Sequence, residues 1–372
     1  MSSNNLQGSA RASAKTTASS RDHSHQHENP QHREQQVDMS AAINWTDEEY
    51  ANFGLVPQVS QHRYNELPLF GDDELIELLN HYPRRNLQAY HMGEDPLANE
   101  DWKQVDIAEH TTGEQMLQAV KTGRIWINLT HIENNSADYA KLIDGMYQHL
   151  GKHCPHLKNP KGTHSALLIS SPGAQVYYHL DAEPNMLWHM RGQKHMWVYP
   201  AMNLDIVPQD YLEDIYSGEI GENLPYKPEY DALAQQFLLN PGDAASWPHN
   251  GPHRIVNIDM NVSLATSYYT PVIYKRQYVQ LANRFLLRNL GIKNRSVAES
   301  GPIAAAKRIT YRILNKLKPF KRRDRAASYI TDLQLDPTAP LGVRKLPEPK
   351  LASFASKPAE ASGTTGQPQS AG

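Results

Sequence analysis

Three groups of residues in this chain could do chemistry, and they lie far apart in the sequence. The first is His179-Leu180-Asp181. Residues two apart on a strand share a face, so an imidazole and a carboxylate at this spacing reach toward one point. Together they suit a borderline divalent metal. The second group begins at the turn Pro241-Gly242-Asp243, which would launch a strand. The bend Trp247-Pro248-His249-Asn250-Gly251-Pro252-His253 would then deliver a histidine beside the first pair. With His253 the set holds two imidazoles and one carboxylate. Such a set covers one face of an octahedron and leaves three positions open, as an Fe(II) site that must also hold a chelating co-substrate and O₂ requires. His249, four residues earlier, becomes the distal ligand if the loop folds differently, but the spacing from Pro241 favours His253. The third group is one residue, Lys194, which alternates with Met196 and Val198 in Gln193–Tyr199. An ammonium on an apolar strand face is costly to bury alone, so it calls for an anion.

These residues need a scaffold with many short strands. From Ser165 the text breaks into brief runs rich in Val, Ile, Tyr and Trp, separated by Gly, Pro, Asp and Asn. Eight strands are predicted, over 166–170, 175–180, 185–191, 193–199, 235–239, 244–247, 253–257 and 261–268. Split four and four, they suggest a jelly-roll barrel. The gap 201–234 is too long for a hairpin and is predicted to carry a helix or lid. Upstream, 43–163 reads as mostly helical. A helix starts near the acids at 72–74 and ends before Pro83, two more cover Gly113–Val120 and Ala137–Leu150, and a short strand covers Ile125–Leu129. After Pro271 the period returns to helical over Tyr274–Leu290 and Ile303–Leu317, giving two amphipathic basic helices.

Residues 164–270 resemble the JmjC/cupin-like branch of Fe(II)- and 2-oxoglutarate-dependent oxygenases, the group that includes an asparaginyl hydroxylase. The resemblance rests on Tyr178-His179-Leu180-Asp181, Asn185, Arg191-Gly192-Gln193-Lys194, Val198-Tyr199-Pro200 and Pro241-Gly242-Asp243…Pro248…His253. It implies a double-stranded β-helix (jelly-roll) core in a mainly β protein with flanking helices. It implies that His179, Asp181 and His253 bind Fe(II), that Lys194 holds the far carboxylate of 2-oxoglutarate, and that Asn185 lies near the co-substrate. The chain departs from the family at Val176, where a Thr or Tyr hydroxyl often helps hold that carboxylate. Tyr177, Tyr178 and Thr266 are candidates for its replacement. The resemblance leaves open whether the substrate is a protein side chain or a small molecule, and whether hydroxylation or demethylation follows.

Composition narrows the classes further. The chain of 372 residues is 39% hydrophobic, and its ends carry most of the deficit. Residues 1–42 and 326–372 are too polar to offset their ordering entropy and are expected to be disordered tails. Histidines 23, 25, 27 and 32 in the first tail are metal-binding by composition but are expected to hold no defined site. The domains expected between the tails are 43–163, 164–270 and 271–325. No apolar run is long enough for a membrane span, and a single cysteine, Cys154, excludes a disulfide framework. The expected compartment is the cytosol.

Net charge is −3, yet Lys275–Arg325 holds fifteen Lys and Arg against Glu299 and Asp324. That basic segment has two readings: contact with nucleic acid, anionic lipid or an acidic partner, or plain packing on the barrel or a second copy. The resemblance favours packing in a homodimer. His189 and His195 fall on opposite faces of their strands, the first inward and the second outward, and each reads as a structural or surface histidine. The leading expectation is thus an Fe(II)/2-oxoglutarate oxygenase. The alternative from another class is a non-catalytic metal-binding regulatory protein that contacts a polyanion through its basic helices.

Overall fold

The computed structural model describes residues 42–98, 101–157, 160–316 and 329–355. The first part holds helices α1 (Asp47–Asn52), α2 (Asp72–His81), α3 (Gly113–Thr122), α4 (Ile132–Asn135) and α5 (Ala137–His153). Strands β1 (Gln58–Gln61), β2 (Leu87–His91), β3 (Lys103–Val105) and β4 (Ile125–Thr130) run between them. The expected helices are in place, each set by local chemistry. Leu75 and Leu79, one turn apart, are fully buried on α2, and Pro83 follows its end. Thr112 and Gln115 close a capping box at the start of α3. The three strands beyond β4 were not foreseen. They are short and bracketed by helical text, so no long alternation announces them.

Eight strands follow: β5 (Lys161–Ser170), β6 (Gln175–His179), β7 (Asn185–Arg191), β8 (Lys194–Val198), β9 (Gln235–Leu239), β10 (Asp243–Ser246), β11 (His253–Asn257) and β12 (Asn261–Tyr269). They match the eight predicted runs to within a few residues. The larger sheet runs β1-β10-β7-β12-β5-β4-β2-β3 and the smaller β6-β11-β8-β9, both antiparallel. The larger sheet takes β5, β7, β10 and β12 and the smaller takes β6, β8, β9 and β11, the four-and-four split of a jelly-roll, a double-stranded β-helix. The strands β1 to β4 extend its larger sheet on both edges.

Each face of the barrel has its own apolar layer. On the outer side of the larger sheet, Met186, Trp188 and Met190 pack with Trp45, Tyr64 and the helices of the first part. Trp188 is fully buried, and its indole N–H donates to Thr266 Oγ1 at 3.1 Å. Inside the barrel, Leu187, Met196, Val198 and Ile255 meet. Outside the smaller sheet, Tyr178 packs with α6 (Gln209–Ser217), α7 (Pro271–Ala282) and α8 (Pro302–Lys316) through Leu212, Tyr216, Leu281 and Tyr311.

One expectation is corrected here. Residues 329–355, assigned to a disordered tail, form the hairpin β13 (Ile330–Leu335) and β14 (Val343–Leu351). Leu335 is buried, and Gln334 bridges in parallel to Asp106, just beyond β3. A polar composition hid the few apolar residues that reach the first part of the chain. On α8 the apolar stripe read from periodicity stays largely in the open. Ile309 and Ile313 are 59% and 58% exposed, while Ala304, Lys307 and Tyr311 are buried. Tyr311 stacks near Tyr278 and Phe285, and Lys307 Nζ donates to Asn283 Oδ1 at 2.7 Å. An aromatic stack and a buried hydrogen bond thus decide which side docks. The histidines at 23–32 and the basic run 321–323 lie outside the described residues. Among the described residues, no helix is long and apolar enough to cross a membrane.

Candidate metal centre

Strand β6 ends at His179 and β11 begins at His253, and the two residues pair directly across the strands. This register is the reason two distant sequence segments meet. Their ring centroids are 4.1 Å apart. Asp181, just past the end of β6, turns its carboxylate between them. Oδ1 lies 3.8 Å from His179 Nε2 and Oδ2 lies 3.7 Å from His253 Nε2. One ligand-type atom from each residue falls within 4.8 Å of the others.

The hydrogen bonds behind the rings set which nitrogen faces forward. His179 Nδ1 is 2.8 Å from the Tyr177 carbonyl and His253 Nδ1 is 3.2 Å from the Gly251 carbonyl. A carbonyl only accepts, so each Nδ1 carries the hydrogen and each Nε2 presents a lone pair. Burial holds both imidazoles below their usual range, and the neighbouring His179 pushes His253 down further. Two lone pairs therefore point at a carboxylate with no hydrogen between them. Asp181 Oδ2 is buried and has no hydrogen-bond partner among the described residues. Burial, with Glu222 nearby, drives the Asp181 carboxyl well above the usual carboxylate range. Three electron-rich groups gathered without a donor fit a divalent cation, and its charge would relieve each of them.

The other predicted residues take varied places. Asn185, at the start of β7, lies beside the Asp181 carboxylate and offsets part of the rise that burial causes, and its Oδ1 accepts from Met186 N–H at 2.9 Å. His249 is not at the centre. Its Nε2 is 3.1 Å from both the Ala182 carbonyl and the Tyr216 hydroxyl. Lys194 lies inside the barrel, 3% exposed, with Nζ donating to Ser263 Oγ at 2.7 Å. Burial pulls its pKa down to about 7. The three candidate hydroxyls are committed elsewhere: Tyr177 accepts from Gly93 N–H, Tyr178 donates to the Ile206 carbonyl, and Thr266 accepts from Trp188. The hydroxyl that meets Lys194 belongs to Ser263, which sequence reasoning missed. His189 points inward and is fully buried, while His195 is exposed on the opposite face.

The 201–234 insert has a defined part in the site. Residues 222–224 pair alongside β6: Leu180 N–H donates to the Glu222 carbonyl and Leu224 N–H to the Tyr178 carbonyl. From α6, Tyr216 donates to Asn250 Oδ1 at 2.9 Å, and Asn250 Nδ2 donates to the Asp181 carbonyl at 3.2 Å. One tyrosine thereby ties the loop before His253 to the segment that carries Asp181. A cavity of about 550 Å³ opens from the triad along the inner face of the larger sheet to Trp102, Trp126 and Asn128. Trp247 covers His253 with ring centroids 4.5 Å apart.

No family model and no curated protein matches the chain. Among solved structures it is similar to YcfD of Escherichia coli, at 13% identity and a TM-score of 0.43 over 74% of this chain and 69% of that one. It is likewise similar to a structure described as YcfD, a ribosomal oxygenase from Escherichia coli, in complex with cobalt and 2-oxoglutarate. There the identity is 14% and the TM-score 0.42, over 75% and 68% of the two chains. The fold itself is a jelly-roll that gathers two histidines and one aspartate.

Proposed function

We propose that the chain is a non-haem Fe(II)- and 2-oxoglutarate-dependent oxygenase. The observation that carries this reading is the inward-facing triad, with two Nε2 lone pairs and a buried carboxylate oxygen that has no donor. Three protein ligands on one face leave room for a chelating co-substrate and O₂. When bound, the iron with its co-substrate would supply the oxidation of a substrate C–H bond. The chain's own residues do the rest. His179 and His253 offer Nε2, and Asp181 offers a carboxylate oxygen steadied by Asn185. Lys194 offers a buried cation with no carboxylate against it among the described residues, suited to the far carboxylate of 2-oxoglutarate. Trp247 limits water at His253, and the cavity toward Trp102 and Trp126 admits the substrate. Hydroxylation of a protein side chain or a small molecule is the outcome we assign.

Anaerobic titration with Fe(II) and then 2-oxoglutarate tests the reading. A weak visible charge-transfer band should form, and His179→Ala and Lys194→Ala should each remove it. Iron binding with no band in the unaltered protein would overturn it. A second reading, metal binding without turnover, is favoured by one observation: Arg312 and Lys316 are exposed on α8 beside bare Ile309 and Ile313. It predicts no 2-oxoglutarate consumption and salt-sensitive binding to a polyanion.

A further inference from the structure

At the end of β8 away from the triad, three buried polar side chains form a chain of hydrogen bonds. His189 Nε2 is 2.8 Å from the Gly192 carbonyl, and His189 Nδ1 is 2.9 Å from Ser263 Oγ. Lys194 Nζ is 2.7 Å from the same Ser263 oxygen. All three residues are buried, with exposures of 0% for His189 and Ser263 and 3% for Lys194.

The direction of every hydrogen follows from the end of the chain. The Gly192 carbonyl only accepts, so His189 Nε2 carries the hydrogen. Burial, and after it the Lys194 charge, holds His189 neutral, with a pKa of about 2. Its Nδ1 is then an acceptor, and the Ser263 hydroxyl must donate to it. What Ser263 offers Lys194 is therefore a lone pair. One N–H of the ammonium is fixed there, and the other two have no partner among the described residues. The neighbours of Lys194 across β8 are Leu239 on β9 and Asn257 on β11. Neither is charged, and Asn257 Nδ2 donates to Ser170 and Ser171. His62 packs beyond His189 and is held neutral by burial. No charge faces Lys194 from these elements.

We propose that Ser263 and His189 are positioning residues for the co-substrate: His189 turns the Ser263 hydroxyl, Ser263 holds Lys194 by one hydrogen, and two N–H bonds stay free for the far carboxylate. The proposal rests on the oxygenase reading above. It assigns to β12 and β7 a role for which the sequence pointed only to hydroxyls at 177, 178 and 266. It also carries a proton signature. Burial leaves Lys194 near pH 7 in the empty barrel. Binding an anion there draws a proton onto the amine at higher pH.

Calorimetric titration of 2-oxoglutarate into the Mn(II)-loaded full chain tests this between pH 6.5 and 8.5, in two buffers of different ionisation enthalpy. The unaltered protein should take up a proton on binding above about pH 7. Ser263→Ala should weaken binding about tenfold and move the midpoint of proton uptake to lower pH, because the ammonium loses its acceptor. Ser263→Thr should restore both. His189→Phe, which keeps a ring but removes the acceptor, should weaken binding by about threefold. Binding and midpoint unchanged in both Ser263→Ala and His189→Phe would overturn the proposal. If Lys194→Met still abolished binding in that case, the oxygenase reading would stand while the positioning role fell. If the unaltered Mn(II) protein bound no 2-oxoglutarate, both would fall together.

Discussion

The mouth and the floor of the barrel carry opposite kinds of incompleteness. At the mouth a carboxylate and two lone pairs crowd together with no hydrogen between them. Toward the other end an ammonium sits with one neutral acceptor and, among the described residues, no counterion. Each arrangement is unfavourable alone, since a buried charge without a partner costs several kcal/mol. The two do not neutralise one another, because Leu187, Met196, Val198 and Ile255 pack inside the barrel. On the function proposed above, the difference teaches that the two ends would take guests of opposite sign, a cation at one and an anion at the other.

The largest break in this comparison is Asp181→Asn. The amide can donate to an Nε2 lone pair, so the metal-free protein should gain about 1–3 kcal/mol in chemical denaturation, while Mn(II) binding disappears from calorimetry. A metal-free variant no more stable than its parent would contradict the picture of stored repulsion. Lys194→Met should do the same at the floor. We expect about 1–4 kcal/mol of added stability, no measurable 2-oxoglutarate binding and an unchanged Mn(II) affinity.

pH sharpens the contrast without any substitution. Burial and Glu222 raise Asp181, so as the pH falls a proton competes with a metal for its carboxylate. Metal affinity should therefore rise with pH. Burial lowers Lys194 to about 7, so 2-oxoglutarate affinity should fall by about tenfold for each pH unit above that value. Protons released in the first titration and taken up in the second would verify both signs, and equal signs would refute the assignment. The smallest effect is Tyr216→Phe. Losing its hydrogen bond to Asn250 should cost about 1 kcal/mol of stability and lower Mn(II) affinity by a few-fold, measured against the unaltered chain.

The barrel was legible because its strands are runs of β-branched and aromatic residues cut by turn residues, a local signal. The convergence of His179 with His253 was legible only through motif spacing, since the register that pairs them belongs to the sheet. Ser263 was invisible. A serine within the buried run of β12 carries no local mark, and its partners come from β7 and β8, far away in sequence. The docking face of α8 was not legible for a related reason. Periodicity identifies an apolar stripe but does not say which side a tyrosine stack and a buried lysine will claim. Strands β1 to β3 and the hairpin β13–β14 are short and polar, and they are strands because partners wait for them.

That hairpin has a consequence for the order of folding. Asp106, 1% exposed, accepts from Gln334 Nε2 at 2.9 Å and Ser353 N–H at 3.1 Å, and pairs with Lys350 at 2.7 Å. Its own N–H donates to the Leu333 carbonyl. Every one of these partners comes from the far end of the chain. During synthesis the first part must therefore wait, with this carboxylate still in water, until residues 333–353 emerge. Loop closure over so long a span is a slow step. The edge beside β3 is thus the natural last seam of the molecule, and the place where an incomplete chain stays open.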